Sequence, residues 1–338
     1  KLFLQPGSVT EIRAPGSTKG TWSGYFDDPE ALTKAVAPLD GRVPGIYVTI
    51  NPVRSDLLAR AANRLKPYAK LSTTDADILR REWFPVDLDP VRPAGISATD
   101  DEHQAALDMA HRCRDHLCEQ DWPAPVVADS GNGGHLLFRV DLPNDDSSRD
   151  LIRSGLDALA LMFSNEHVDI DRTLFNAARI LKLYETVAAK GDSTPERPHR
   201  RSQILSLPDE IVTTPRALLE ELVQRAPKPV VTSQSIRRRG DFDLEQWITK
   251  HGLRVVSTQA WQGGTKWILN PCPWNPTHTN RAAYIVQFAG GAIAAGCHHN
   301  GCAENNWRSL RELHEPNHQK PQTVIRKLGV GNGTITAR

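Results

Sequence analysis

The run FPVDLDP, residues 84–90, places aspartates at two alternate positions, Asp87 and Asp89. Side chains at i and i+2 of a strand point to the same face, so these two carboxylates would lie side by side. Like charges so close together repel each other unless a cation lies between them. Carboxylate oxygens suit Mg²⁺ or Mn²⁺, which keep waters and phosphate oxygens as their other ligands. The pattern predicts metal-assisted chemistry on a nucleoside triphosphate, with a solvated turn as the alternative.

A glycine-rich run, SGNGGH, extends from Ser130 to His135. Glycines let backbone N–H groups approach a phosphate closely, and the serine and histidine add a hydroxyl and an imidazole. We therefore predict a phosphate-binding hairpin loop that includes Gly131 and Gly133. The alternative is a tight turn without a ligand.

A third carboxylate, Asp171, precedes a segment with two cations. Residues 174–183 are predicted to form a short helix, on which Arg179 and Lys182 share one face because they are three positions apart. Both cations would then meet a triphosphate. The alternative is a capping aspartate followed by surface cations.

Several predicted elements must position these groups. Their order, with strands and helices interspersed, predicts an α+β domain. Strands are predicted at 45–52, 83–89, 125–129, 135–140 and 203–207, and helices at 28–36, 55–66, 99–117, 148–164 and 215–225.

Length and composition describe a globular chain. Its 338 residues accommodate two domains, and 39% hydrophobic with 24% charged residues excludes a disordered protein. No apolar run reaches the length of a membrane span, and five cysteines without a disulfide-like array suit the cytoplasm. Because the net charge is only +1, any nucleic-acid surface must be local. The candidates are Arg197, Arg200 and Arg201, and the run 236–239, with a solvated basic loop as the alternative.

Together the runs around Asp87, His135 and Asp171 resemble the motifs of the archaeo-eukaryotic primase superfamily. They are most similar to the primase-polymerases of phages, plasmids and CRISPR loci. The family pattern is a strand hDhD, a glycine-rich S-G-x-G-x-H hairpin, and a later hD before an arginine. Many relatives show a minimal S-x-H, and here Gly133 occupies the serine position of that motif. The resemblance covers residues 20–210.

The resemblance implies a primase-polymerase core, with an RRM-like sheet and an N-terminal α/β subdomain. It implies that Asp87, Asp89 and Asp171 bind two Mg²⁺ or Mn²⁺ ions. The phosphates of the nucleotide would be bound by His135 and the loop, and a sugar contact is assigned to Asn51. The residues that would hold the nucleotide or contact the template are Ser130, Gly131, Gly133, His135, Arg179, Lys182 and Lys190.

The activity implied is that of a nucleotidyltransferase, a DNA-directed primase or polymerase. It would join nucleoside triphosphates to a 3′-hydroxyl on single-stranded DNA, with release of pyrophosphate, in the replication of a mobile element. The preferred sugar stays open, as does the choice between starting primers and only extending them. Alternatives are a non-catalytic replication-initiation or origin-binding protein and a sugar-nucleotide transferase. Many relatives are fused to a helicase, which is an expected partner in cis or in trans.

Cysteine and histidine residues cluster near the C-terminus. Cys272 and His278 form a C-x5-H pair, and Cys297 and Cys302 form a C-x4-C pair. Two close pairs of such ligands fit a tetrahedral structural zinc ion, which would stabilise a module with few apolar residues. His298 or His299 could replace His278 as a ligand. The module would hold the template or the initiating nucleotide, or serve only as a structural staple.

The predicted organisation has four parts. A catalytic domain at 1–225 is followed by a linker at 226–243, a zinc-binding module at 244–316 and a flexible tail at 317–338.

Overall fold

The computed structural model describes residues 2–225, 242–261, 263–279, 281–297, 302 and 305–316. The chain divides into two compact units, residues 1–228 and 229–338. The predicted tail lies outside the described residues, as do the basic run 236–239 and all but the last two positions of the predicted linker.

The first unit mixes helices with antiparallel sheets, which confirms the predicted α+β class. No helix within the described ranges is long and apolar enough to cross a membrane. The elements in chain order are β1 (Thr10–Ser17), β2 (Gly20–Phe26), α1 (Pro29–Val36), β3 (Tyr47–Thr49), β4 (Arg80–Pro90), α2 (Asp100–Cys118), β5 (Val126–Asp129), β6 (Gly134–Pro143), α3 (Asp146–Phe163), β7 (Val168–Ile170), β8 (Ile180–Lys182), β9 (Val187–Ala188), β10 (Arg200–Arg201), β11 (Gln203–Ser206) and α4 (Arg216–Arg225).

The larger sheet has five antiparallel strands in the order β11-β5-β6-β4-β7. The chain order β4-α2-β5-β6-α3-β7 is a split β-α-β arrangement, in which β6 lies between β4 and β5. Gly134 on β6 lies opposite Leu88 on β4, and it packs so closely on Ala110 that an added Cβ would lie 2.7 Å from the Ala110 Cβ. The face of β4 that carries Val86 and Leu88 therefore packs on α2, and both side chains are fully buried. Asp87 and Asp89 lie on the opposite face.

The smaller sheet of this unit has the order β2-β1-β3-β8. Its core contains the buried side chains of Ile12, Phe26, Ile46 and Val48. At its edge β8 pairs with β3, with Lys182 opposite Tyr47. The strands β9 and β10 form a separate two-stranded ladder.

Within its described residues, the second unit is a four-stranded antiparallel sheet with two helices. Its strands lie in sequence order, and Trp247, Trp267, Ile285 and Leu310 form its core together with three cysteines. The elements are α5 (Leu244–Lys250), β12 (Val255–Trp261), β13 (Gly264–Leu269), β14 (Ala283–Gln287), β15 (Ile293–Cys297) and α6 (Trp307–His314).

Two predicted helices are wrong, for the same physical reason. Residues 174–179 form turns and Ile180–Lys182 forms β8, because β3 supplies hydrogen-bond partners. In the stretch 55–66 only Ser55–Arg60 is helical, as a short 3-10 helix. The remainder bonds to β2, since the Lys66 N–H donates to the Ser23 carbonyl. Tertiary pairing has overridden a helical spacing of apolar residues.

The edge strand β11 carries exposed apolar side chains. Ile204 and Leu205 are 39% and 41% exposed, and Leu207 just beyond the strand is 56% exposed. The register between β11 and β5 shifts between Ile204 and Ser206, which marks a β-bulge.

We expect Gly133→Ala to destabilise the first unit because a Cβ at this position would lie 2.3 Å from the carbonyl oxygen of Leu88. Either the loop or β4 would have to move, at a cost of roughly 3 kcal/mol in the free energy of unfolding. Gly7→Ala is the control, since a Cβ there meets no atom within 4 Å. Its positive φ costs roughly 1 kcal/mol. Equal losses for the two variants in urea unfolding would contradict this role of Gly133.

Candidate active site and metal cluster

The three aspartates predicted to bind metal lie close together, two of them on β4 and the third just beyond β7. Asp87 is directly opposite His135 on β6. The backbone N–H of Asp171, just beyond β7, donates to the carbonyl oxygen of Asp87 at 2.9 Å. Asp89 follows two positions along the same face of β4. All three line one cleft with a volume of about 270 Å³.

The same cleft collects most of the residues predicted to bind the nucleotide. Within the glycine-rich loop, Ser130 and Asn132 line the cleft, whereas Gly131 and Gly133 do not. The predicted residues that line it, apart from the aspartates, are Ser130, His135, Arg179, Lys182 and Lys190.

Asp87 has a buried carboxylate oxygen without a hydrogen bond. Its Oδ1 lies 3.3 Å from His135 Nε2 but has no hydrogen-bond partner among the described residues. Burial acts to raise the pKa of Asp87, yet the positive charge of His135, with Lys190 and Arg92, outweighs it and holds that pKa below its ordinary value. For Asp89, burial and the charge of Asp87 raise the pKa. A bound cation would stabilise both carboxylates, and the donor set fits one.

His135 is held between Asp87 and Tyr184. Its Nδ1 lies 2.9 Å from the Tyr184 hydroxyl, while Nε2 faces the carboxylate. Burial acts to lower the pKa of His135, but the charge of Asp87 outweighs it and raises that pKa. For Tyr184, burial raises the pKa, which keeps its hydroxyl protonated. The ring is therefore oriented by a hydrogen bond at Nδ1 and by an ion pair at Nε2.

The glycine-rich loop is closed by its own hydrogen bonds. Ser130 Oγ accepts from the backbone N–H of Gly133 at 3.0 Å, and the Gly131 N–H donates to Asp129 Oδ1 at 2.6 Å. The predicted nest of free backbone amides is therefore not formed by these residues. Gly131 instead provides a tight turn, because its φ of 90° favours glycine.

Arg179 and Lys182 reach the cleft from a turn and a strand, instead of from one face of a helix. Arg179 Nη2 lies 3.9 Å from Asp171 Oδ2. Lys182 is buried on β8, and its Nζ donates to the carbonyl oxygen of Val187 at 2.8 Å. Burial lowers the pKa of Lys182 to about 8. Charge at this position is therefore sensitive to mildly alkaline pH.

The three arginines predicted to bind nucleic acid all form ion pairs within the first unit. Two of these pairs neutralise carboxylates in the first turn of α2, which the helix dipole also favours there. The loop is therefore not a solvated basic run. Arg197, Arg200 and Arg201 pair with Glu102, Asp100 and Asp40, respectively.

Asn51 is buried, with both ends of its amide in use. Its Nδ2 donates to the carbonyl oxygen of Ala177 at 2.8 Å, and its Oδ1 accepts from the backbone N–H of Glu82 at 2.8 Å. The predicted sugar contact is therefore wrong. Asn51 instead ties the turn before β8 to β4.

Sequence reasoning missed Tyr184, Tyr47 and Arg92. Tyr47 lines the cleft, and Arg92 Nη1 lies 3.5 Å from Asp89 Oδ1. No local pattern marks any of them. Tyr184 follows β8 and Tyr47 lies on β3, so their positions depend on the pairing of two strands far apart in the sequence.

The second unit brings four metal-ligating side chains together. Their ligand atoms all lie within 4.8 Å of one another. His278 directs Nδ1 at the sulfurs, 3.8 Å from Cys297 Sγ and 3.5 Å from Cys302 Sγ. The cluster can hold a metal ion such as zinc, as predicted. It consists of Cys272, His278, Cys297 and Cys302.

The cluster is part of the core of its unit. All three cysteines are buried, and Cys297 ends β15 opposite Ala283 on β14. The amide nitrogen of Asn275 lies 3.2 Å from His278 Nε2, the ring nitrogen that faces away from the sulfurs. The alternative ligands His298 and His299 lie outside the described residues.

Comparisons with protein-family models, with curated proteins and with solved structures gave no match to this chain. The functional argument therefore rests on the residues of the cleft and of the Cys/His cluster.

The lowered pKa of Lys182 predicts a rise in stability between pH 8 and pH 10.5. In this range the folded protein has released the proton that the unfolded chain still holds, so stability increases with pH. The shift of the pKa from 10.5 to about 8 corresponds to about 3 kcal/mol. In urea unfolding we expect Lys182→Met to lack this rise. Parallel pH profiles for the two proteins would contradict burial of the charged amine.

The cluster also predicts a single metal ion per chain, bound through buried thiolates. We expect about one zinc ion per chain in the parent protein and almost none in Cys297→Ser, by elemental analysis. The variant should also lose the thermal transition of the second unit. Cys118→Ser is the matched control, because Cys118 is exposed on α2, and it should keep the metal. A normal zinc content in Cys297→Ser would exclude Cys297 as a ligand.

Proposed function

We propose that this chain is a DNA primase-polymerase that joins nucleotides on a single-stranded DNA template by metal-assisted nucleotidyl transfer. The observation that carries the proposal is the meeting of Asp87, Asp89, Asp171 and His135 in one cleft. These are the carboxylates and the histidine of the motifs that resemble the primase superfamily. The split β-α-β order of the larger sheet supports an RRM-like core.

Asp87, Asp89 and Asp171 would hold two Mg²⁺ or Mn²⁺ ions. The buried Oδ1 of Asp87, which has no hydrogen-bond partner among the described residues, supports a cation at this point. When bound, such ions activate the 3′-hydroxyl and neutralise the charge of the triphosphate and of the pyrophosphate that leaves.

The other cleft residues would bind and orient the triphosphate. His135 would contribute its imidazole to phosphate binding, with the ring oriented by the Tyr184 hydroxyl at Nδ1 and by the Asp87 carboxylate at Nε2. Arg179, Lys182 and Lys190 bring positive charge to the same cleft. Donors and cations that are fixed before the reaction stabilise the charge that develops in the transition state.

We infer that the cation of the second unit is a structural zinc ion. Four protein ligands complete a tetrahedral site and leave no open position for a substrate. The cysteines are buried in the core of this unit, so the metal would contribute to folding. A helicase that acts with the chain, in cis or in trans, stays a prediction.

We expect Asp87→Asn combined with Asp89→Asn to abolish nucleotide joining while the fold is kept. The amides keep the size of the side chains but remove the charge that would hold the cations. Joining should fall at least about a thousandfold, since the loss of a single electrostatic contact typically costs about 10²–10³ in rate and here two charges are lost. The assay uses an unprimed single-stranded template, Mn²⁺ and labelled nucleotides, with products resolved on a gel. Asp108→Asn is the control, since this exposed aspartate on α2 lies outside the cleft.

Three results would separate the hypotheses. Retained joining in the double variant would overturn the assignment of the site. Extension of a supplied primer without products on an unprimed template would leave a polymerase and remove the primase. Absence of joining in the parent chain, together with tight and sequence-specific binding of duplex DNA, would favour a replication-initiation protein.

A further inference from the structure

Arg197 forms a fork-shaped ion pair with Glu102, in the first turn of α2. The guanidinium nitrogens lie 2.7 and 2.9 Å from the two carboxylate oxygens. Arg197 Nη1 also donates to the carbonyl oxygen of Ser97 at 2.8 Å. Glu102 is fixed in turn, because its Oε2 accepts the backbone N–H of Thr99 at 2.9 Å. Arg197 is thus bound to the N-terminus of α2 by several hydrogen bonds from one planar guanidinium group. A lysine could not form this set, because its ammonium group lacks the fork of donors.

Ser97, whose carbonyl oxygen accepts from Arg197, also contacts Lys190 through its hydroxyl. The hydroxyl of Ser97 donates to the carbonyl oxygen of Lys190 at 3.1 Å. The next residue, Gly191, lies so close to Gly95 that an added Cβ would be 2.9 Å from the Gly95 carbonyl oxygen. The backbone at Lys190 is therefore in contact with the segment 95–97, to which Arg197 also bonds.

A second arginine supports the same junction. Arg200 Nη1 donates to the carbonyl oxygen of Ala98 at 2.9 Å, and the guanidinium pairs with Asp100. The backbone N–H of Ala98 donates to Asn132 Oδ1 at 2.8 Å, and Asn132 lines the cleft. The start of α2 thus connects the basic loop to the glycine-rich loop.

The side chain of Lys190 lines the cleft together with Asp87 and Asp89. Within the described part of the chain, no hydrogen bond or ion pair engages its Nζ. A cation with a fixed backbone and an available ammonium group suits an anionic ligand.

We propose that Arg197 and Glu102 are positioning residues, whose ion pair holds Lys190 where it contacts the triphosphate of the incoming nucleotide. This inference rests on the proposed function, because it takes a nucleoside triphosphate as the ligand of the cleft. It replaces the sequence-based prediction that Arg197 contacts nucleic acid. The two roles differ in their dependence on Glu102. A positioning role needs this carboxylate, whereas an arginine that contacts DNA gains nothing from an acidic neighbour.

Glu102→Gln is the most direct test. Glutamine preserves the cap of α2, since its side-chain oxygen can still accept from Thr99, but it removes the charge that holds Arg197. We expect Glu102→Gln and Arg197→Gln each to weaken the binding of a fluorescent nucleoside triphosphate, in the presence of Mn²⁺, by roughly tenfold. Binding of labelled single-stranded DNA, measured by anisotropy without nucleotide, should change by less than about twofold.

A double-mutant cycle with Lys190→Ala identifies the group through which the pair acts. In that background the substitutions at Glu102 and Arg197 should cost almost nothing further, because the cation they position is absent. Arg216→Gln is the matched control. It breaks another arginine–glutamate ion pair, with Glu220 at an exposed position of α4 outside the cleft, and should leave nucleotide binding unchanged. Thermal unfolding of every variant shows whether the first unit is intact.

The outcomes separate this inference from the proposed function. If the parent chain binds no nucleoside triphosphate, both are overturned. If it binds nucleotide while Arg197→Gln weakens only DNA binding and Glu102→Gln has no effect, the positioning role is overturned and the proposed function stands. Losses that add fully to that of Lys190→Ala would likewise exclude action through Lys190. If Arg197→Gln does not fold, Glu102→Gln alone decides between the roles.

Discussion

The candidate active site depends on the position of β4 between β6 and β7. Pairing on both sides fixes which residues of the neighbours meet Asp87, with His135 across from it on β6 and Asp171 bonded to its carbonyl oxygen. One face of β4 packs on α2 and the other carries charge, so the core excludes any rotation of the strand that would move the aspartates away. Burying like charges is unfavourable. The surrounding cations reduce that cost, and Asp87 Oδ1 still lacks a hydrogen bond in the described structure.

The parts of the site that could be predicted from sequence are those encoded locally. The alternation of Asp87 and Asp89 with apolar residues and the glycines before His135 each lie within a few positions of one another. The predictions that were wrong concern residues whose structure depends on contacts between distant segments. Lys182 belongs to a strand because β3 is available to pair with it, and the helical spacing of its neighbours carries no information about β3. The ion pair between Arg197 and Glu102 could not be predicted from the sequence either, because the acidic first turn of α2 is almost a hundred positions away.

In the second unit, local spacing identifies the pairs of metal ligands but not how the pairs come together. Each pair of ligands is close in sequence, so a metal site in this segment could be predicted from the spacing of its cysteines and histidines. The meeting of the two pairs requires the sheet, because Cys297 stands at the end of β15 and Cys272 follows β13. The metal-ligating atoms and the apolar core occupy the same small volume. Folding of the sheet and assembly of the ligand set are therefore expected to be one cooperative event.

The bulge in β11 affects how copies of the chain behave at high concentration. An exposed edge strand with apolar side chains invites strand-to-strand addition by a second molecule, the usual route to aggregation. The bulge at Leu205 disrupts the even spacing of N–H and C=O groups that an incoming strand would need. An irregular edge thus allows the protein to keep Ile204 and Leu207 at the surface without offering a regular template for polymerisation. Deleting the bulged residue would make the edge strand regular and so better suited to pairing with a second molecule. The tendency of the chain to aggregate would therefore depend on backbone geometry as well as on surface composition.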